Sequence, residues 1–221
     1  MRDRTVHAVV FDMDGTLLDS LPVVLECYRT TIVELGGPSL TRDDVLSSFA
    51  VGPAAVMLET LIGRPVGAEA VTRYERHLSA ALEGVTPYPG IAEMLATLSD
   101  ALPLGVFTAA DTSAAELLLG ATGLRSSIGP VIGGDRVSRS KPAPDGVLAV
   151  CARLGVPPTS VAYVGDGRSD VLVARACGAL AVAVAWGHQY HEDRDADVTV
   201  RSPLELLDLF GVPRVVSGDA R

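Results

Sequence analysis

Short apolar runs separated by stretches of helical period limit this chain to an α/β sheet fold. The runs fall at 6–11, 104–108, 130–132, 161–164, 180–185 and, more weakly, 198–200. The first is β-branched and stops at Asp12-Met13-Asp14-Gly15, so it reads as a buried strand ending in a polar loop. Helical patterns lie between the runs at 91–98, 112–122, 146–154, 169–176 and 204–209. This alternation predicts parallel strands joined by right-handed helical crossovers. The expected fold is a doubly wound, Rossmann-like α/β sheet with its site at the C-terminal strand ends.

The rhythm breaks once. Between 20 and 83 no run reads as a strand, and helical patterns follow one another at 22–35, 42–48, 54–62 and 68–82. Thr41-Arg42-Asp43-Asp44 opens the second of these in the manner of a capping box. An all-helical segment between the first and second strands reads as an inserted α-helical cap domain, 20–83, on a core made of 1–19 and 84–221. Its hinges are expected at 15–21 and 83–90, the second stiffened by Pro87 and Pro89. Residues 213–221 read as a loose tail.

Composition narrows the partners. With 221 residues and a hydrophobic fraction of 48%, the chain fills a core without disulfides or metal staples, and disorder is excluded. Asp plus Glu number 27 against 18 Lys plus Arg, and the net charge of -9 repels phosphate-rich polymers, so no nucleic acid partner is expected. Cys27, Cys151 and Cys177 are scattered, with no C-x-x-C spacing, and read as reduced thiols filling the core of a cytoplasmic protein. No signal-peptide pattern precedes Asp12, and the longest later apolar run, 179–186, is far below the ~20 residues that span a bilayer. A soluble protein with no membrane partner is expected.

Polar residues gather where the runs stop. Alternation along an extended chain points Asp12 and Asp14 the same way, and Gly15 lets the chain turn sharply. Two carboxylates so placed make a hard-metal site, a nucleophile with its acid/base partner, or a turn held by Asx hydrogen bonds. Thr108 and Ala109 follow the second run, offering a hydroxyl and backbone N–H groups beside a helix N-terminus that suits an anion. In Ser140-Lys141-Pro142, the proline keeps Lys141 out of the helical region and in an extended loop. Gly165-Asp166-Gly167-Arg168-Ser169-Asp170 ends another run with two carboxylates around a glycine turn.

Together these residues resemble the motifs of the haloacid dehalogenase-like hydrolase superfamily. Phe11-Asp12-Met13-Asp14-Gly15-Thr16-Leu17-Leu18-Asp19-Ser20 is similar to the first motif, Thr108 to the second, Lys141 to the third, and Gly165-Asp166 with Asp170 to the fourth. Pro87-Tyr88-Pro89-Gly90 is similar to the family's return from cap to core, and Val51-Gly52 resembles the phosphoglycolate phosphatase-like branch. The resemblance covers about residues 5 to 205. Family dehalogenases lack the second carboxylate of the first motif, and Asp14 is present here, so phosphoryl chemistry is implied.

What the resemblance implies is a phosphatase acting on a small phosphorylated metabolite, phosphoglycolate-like or a sugar phosphate. Asp12 is the implied nucleophile, and Asp14 the acid that protonates the leaving oxygen and the base that deprotonates water. Mg2+ is the implied cofactor, held by Asp12, the Asp14 backbone carbonyl and Asp166, with Asp170 orienting Lys141 or a metal-bound water. Thr108, Ala109 and Lys141 are the implied phosphate-binding residues. Two positions depart from the family pattern: Ala109 stands where many relatives have Asn, and Gly167 where many have Ser or Thr.

His188 and His191 lack a third His or a Cys nearby and read as part of a solvated loop. Leu21, Tyr28, Arg64 and Arg73 are the cap residues expected either to contact substrate or to serve cap packing and surface charge. The rival readings are a sugar-phosphate mutase, a receiver-like phospho-Asp signalling domain, and a catalytically silent regulatory relative.

Overall fold

Four residues without a polar side chain, Ala8–Phe11, make β1, and all of them are buried. The structure is a computed structural model that describes residues 5–49, 51–192 and 195–214; the expected tail beyond 214 lies outside the described residues. After β1 come β2 (Leu18–Asp19) and then α1 (Leu21–Glu34), α2 (Arg42–Leu46), α3 (Ala54–Ile62) and α4 (Ala68–Ala80). The chain returns through β3 (Thr86–Pro87) to α5 (Ile91–Ser99), β4 (Leu104–Phe107), α6 (Thr112–Ala121), β5 (Val131–Ile132) and α7 (Asp145–Leu154). It ends with β6 (Val161–Gly165), α8 (Arg168–Cys177), β7 (Leu180–Val184), β8 (Val198–Val200) and α9 (Glu205–Leu209).

The main sheet has six strands in the order β5-β4-β1-β6-β7-β8, and every pairing in it is parallel. From β1 the chain first builds outward on one side through β4 and β5, then on the other through β6, β7 and β8, so the order reverses at β1. In such sheets the crevice outside the carboxyl ends at that reversal is where ligands bind. Period-two geometry divides the core in two: Val9 and Phe11 pack with Ile91, Met94 and Leu118, whereas Ala8 and Val10 pack with Val147, Val150 and Val171.

The cap helices follow a capping logic legible in the chain. Thr41 accepts from the Asp44 backbone N–H while the Asp44 side chain accepts from Thr41, the reciprocal box expected for α2. Gly63 closes α3 in the left-handed conformation at φ 75°. Both linkers between core and cap pair with one another: β2 and β3 run antiparallel, Leu18 opposite Pro87 and Asp19 opposite Thr86. The Tyr88 N–H extends this ribbon by donating to the Leu17 carbonyl at 3.1 Å. The cap touches the core directly as well. The Ala54 N–H donates to Asp111 at 2.8 Å, and the Ser113 hydroxyl donates to Glu75 at 3.0 Å.

Candidate active site

Sheet order alone brings three loops together. β1 lies between β4 and β6, so Asp12, Thr108 and Asp166, each just past its strand, stand side by side along the sheet's carboxyl edge. All three are buried. Two glycines make the loops fit. A Cβ on Gly15, whose φ is +85°, would fall 2.3 Å from Asp166 Oδ2, and one on Gly187 would fall 2.1 Å from Asp166 Cβ. Neither position accommodates a side chain.

Lys141 arrives from the loop between β5 and α7. Its ammonium donates to Asp12 Oδ1 at 2.6 Å and to Asp170 Oδ1 at 2.7 Å, with its side chain only 4% exposed. The Phe107 ring, centred 5.2 Å away, and the Tyr163 ring, 5.5 Å away, line its approach. Asp170 is fixed in turn from two other directions. Its Oδ2 accepts from the Gly167 N–H at 3.0 Å, and its Oδ1 lies 3.2 Å from the Tyr163 hydroxyl. Both Asp170 oxygens are thus engaged, Oδ1 by Lys141 and Tyr163 and Oδ2 by the Gly167 N–H.

Asp14 faces another set of partners. Ser20 donates to its Oδ1, and Thr108 Oγ1 lies 3.4 Å from its Oδ2. The Asp12 carboxylate is touched by Thr16, 3.4 Å from its Oδ2. Two carboxylates two residues apart are therefore held by different neighbours. Beyond β4 the Thr108 hydroxyl accepts from the Ala110 N–H at 3.2 Å, which fixes the loop that presents the Ala109 backbone to the cavity.

Burial is the largest influence on these acids. It pushes Asp14 above the ordinary carboxylate range and Asp166 well above it. For Asp12, burial outweighs the neighbouring Lys141 and lifts the carboxyl from 3.8 to about 7. Oxygen atoms of Asp12, Asp166 and Asp170 all lie within 4.8 Å of one another. An all-oxygen set of buried carboxylates faced by one ammonium is short of positive charge, and it fits a hard divalent cation such as Mg2+. The Asp14 carboxylate is outside this cluster; the family resemblance gives its share in metal binding to the backbone carbonyl.

A pH dependence follows. The Asp12 pKa is higher folded than unfolded, so its protonation stabilises the metal-free protein fully below about pH 4, a contribution lost as pH rises through about 7. Added cation must displace that proton at low pH. The difference in Tm between Mg2+ and EDTA should thus grow from pH 5 to pH 8 in thermal melts. A difference independent of pH would show that Asp12 does not titrate in this range.

The structure corrects the reading of His188. Its side chain is 12% exposed, its Nδ1 lies 3.9 Å from Asp166 Oδ2, and its ring meets the Phe49 ring edge-on at 5.5 Å. It is no solvated loop residue: with Gly15 and Gly187 both lacking a Cβ, the loop after β7 closes over Asp166, and the Gln189 N–H donates to Asp166 at 2.8 Å. Burial keeps the imidazole below its ordinary pKa, hence neutral. His191 is exposed, as expected.

Of the cap candidates, Tyr28 lines the cavity above Asp12. Leu21 packs in the core cluster, Arg64 donates to the Leu35 carbonyl at 2.8 Å on the surface, and Arg73 pairs with Glu69. The sequence reading missed Tyr163, which braces Asp170, although a tyrosine inside an otherwise apolar buried strand is itself a signal that its hydroxyl has a partner.

The profile of the haloacid dehalogenase-like hydrolase family matches residues 9–184 of the chain. The chain belongs to the haloacid dehalogenase-like hydrolase family. A phosphoglycolate phosphatase from Chromobacterium violaceum is 34% identical over 222 residues, covering 95% of this chain and 99% of that one. An N-acetylmuramic acid 6-phosphate phosphatase from Pseudomonas aeruginosa is 32% identical, covering 95% and 97%. The fold is also that of CbbY from Rhodobacter sphaeroides, solved in complex with phosphate, at a TM-score of 0.80, 22% identity, and 91% and 96% coverage. Within the haloacid dehalogenase-like hydrolases this chain falls in the phosphoglycolate phosphatase-like branch, a branch of phosphatases. No described helix is long and apolar enough to cross a membrane.

Proposed function

We propose that the chain is a Mg2+-dependent phosphatase that hydrolyses a small phosphomonoester through an aspartyl phosphate on Asp12. The observation that carries this reading is the grip of Lys141 on Asp12 at 2.6 Å, with Asp14 held apart by Ser20 and Thr108. The Asp12 carboxylate attacks phosphorus, and the ester oxygen departs with a proton from Asp14, whose raised pKa keeps that proton available. Asp14 then takes a proton from water, whose oxygen attacks the phosphoryl group and returns Asp12 as carboxylate. Lys141, the Thr108 hydroxyl and the Ala109 N–H face the phosphoryl oxygens and oppose their charge. Asp12, Asp166 and the Asp14 carbonyl would hold the Mg2+, which when bound neutralises the repulsion between carboxylate and phosphate. A cytoplasmic setting accords with the buried thiols of Cys27 and Cys151, both pushed up to about 11.

The test is release of inorganic phosphate from a panel of small phosphomonoesters in Mg2+ and in EDTA. Activity should fall by about 100-fold or more in chelator, since oxyanion-scale charge stabilisation is worth that much. Undiminished hydrolysis in EDTA would remove the metal from this account. Isomerisation of a sugar phosphate without phosphate release would replace it with the mutase reading.

A further inference from the structure

The cavity above the carboxylates has two halves of opposite chemistry. Its floor carries the acids and Lys141. Its roof is formed by Val24, Tyr28, Met57, Tyr74 and Leu78 of the cap, with Leu118 of α6 closing one side. Among the described residues that line the cavity, Lys141 is the only cation, and its ammonium is committed to Asp12 and Asp170 on the floor. No described arginine of the cap lines the cavity: Arg29 pairs with Glu26, Arg73 with Glu69, Arg64 donates to the Leu35 carbonyl, and Arg42 and Arg76 are exposed.

The polar atoms of that roof are phenolic. The Tyr28 and Tyr74 rings stack with centroids 4.3 Å apart. Both rings are buried, at 5% and 4% exposure, so their hydroxyls act as neutral groups. An ester that seats its phosphoryl group against Asp12 must place its leaving group in this roof.

We propose that the leaving group of the substrate is uncharged, with an apolar face for Met57, Leu78 and Leu118 and a hydroxyl or carbonyl for the tyrosine pair, and that carboxylate-bearing leaving groups are selected against. This rests on the phosphatase reading. A carboxylate lodged in the roof leaves water for an apolar wall with no cation to meet it, and stands in the field of Asp12 and Asp14 besides. The relatives named for phosphoglycolate therefore differ from this chain in the substrate they take, within a shared chemistry.

The experiment compares kcat/KM for 2-phosphoglycolate, 2-hydroxyethyl phosphate and benzyl phosphate in Mg2+. The first two share a two-carbon frame and differ in the carboxylate. We expect 2-hydroxyethyl phosphate to exceed phosphoglycolate by about 10-fold or more, and benzyl phosphate to exceed both, because a buried group left without its partner is rejected on that scale or beyond. Met57→Lys, which sets a cation in the roof, should move the ratio toward phosphoglycolate by a similar factor; the wild-type ratio decides the matter even if that variant misfolds. A ratio near one, or preference for phosphoglycolate, overturns the inference and leaves the phosphatase reading standing. No phosphate release from any of the three or from a wider panel overturns that reading and this inference with it.

Discussion

Asp12→Asn is expected to lose turnover by about 10⁴-fold or more, the scale on which removal of a nucleophile acts. The amide keeps the shape of the carboxylate and cannot attack phosphorus. The variant should nevertheless fold, because Lys141 retains Asp170 at 2.7 Å and the strand beneath remains wholly apolar. Asp14→Asn is expected to behave differently. It should slow both half-reactions by about 100-fold, the usual worth of a general acid/base, and leave a slow but measurable rate. Steady-state phosphate release and circular dichroism on both variants check this pair. A chemical trap for the aspartyl phosphate that labels any residue other than Asp12 would reassign the nucleophile.

The second large effect is on stability. Lys141→Met removes the ammonium that faces Asp12 and Asp170, whose side chains are 9% and 5% exposed, and strands both carboxylates inside the protein. Breaking a buried pair from one side costs about 3–5 kcal/mol, far more than solvent-exposed pairs contribute. At about 2–4 °C per kcal/mol for a chain of this size, Tm should drop by roughly 6–20 °C at pH 8. The loss should shrink as pH falls, because without Lys141 the Asp12 carboxyl takes up its proton at still higher pH and sheds the uncompensated charge. Thermal melts at pH 5 and pH 8 separate this from a packing defect, which would not follow pH. An unchanged Tm at pH 8 would mean that the carboxylates find other compensation.

The strands were legible because a parallel sheet covered on both faces demands uninterrupted apolar runs, and β1, β4 and β6 supply them with an abrupt polar stop. That stop is also what exposed Asp12, Thr108 and Asp166 as a group, since strand ends at a reversal of sheet order converge whatever the loops do. Legibility failed where a residue's position depends on a partner far along the chain. His188 lies over Asp166 only because Gly187 and Gly15 can touch, and no local pattern announces that meeting. Arg64 and Arg73 carried the right charge for a substrate contact, but their partners, the Leu35 carbonyl and Glu69, decide where they point. The ribbon of β2 and β3 escaped for another reason: strands of two residues, one containing a proline, have no periodicity to read.

That ribbon makes the cap a cassette. Asp19 and Thr86 are ladder partners, so the points at which the helical segment leaves and rejoins the core are about 5 Å apart. Any replacement that begins and ends side by side can be spliced there, and closing a longer one costs only a logarithmic increment in chain entropy. Asp12, Asp14, Thr108, Lys141, Asp166 and Asp170 all lie outside the exchanged segment, whereas the residues that roof the leaving group lie mostly within it. On the proposed phosphatase reading, exchanging this segment should change substrate choice without touching the reacting groups, provided that Ser20, whose hydroxyl donates to Asp14 at the seam, is kept.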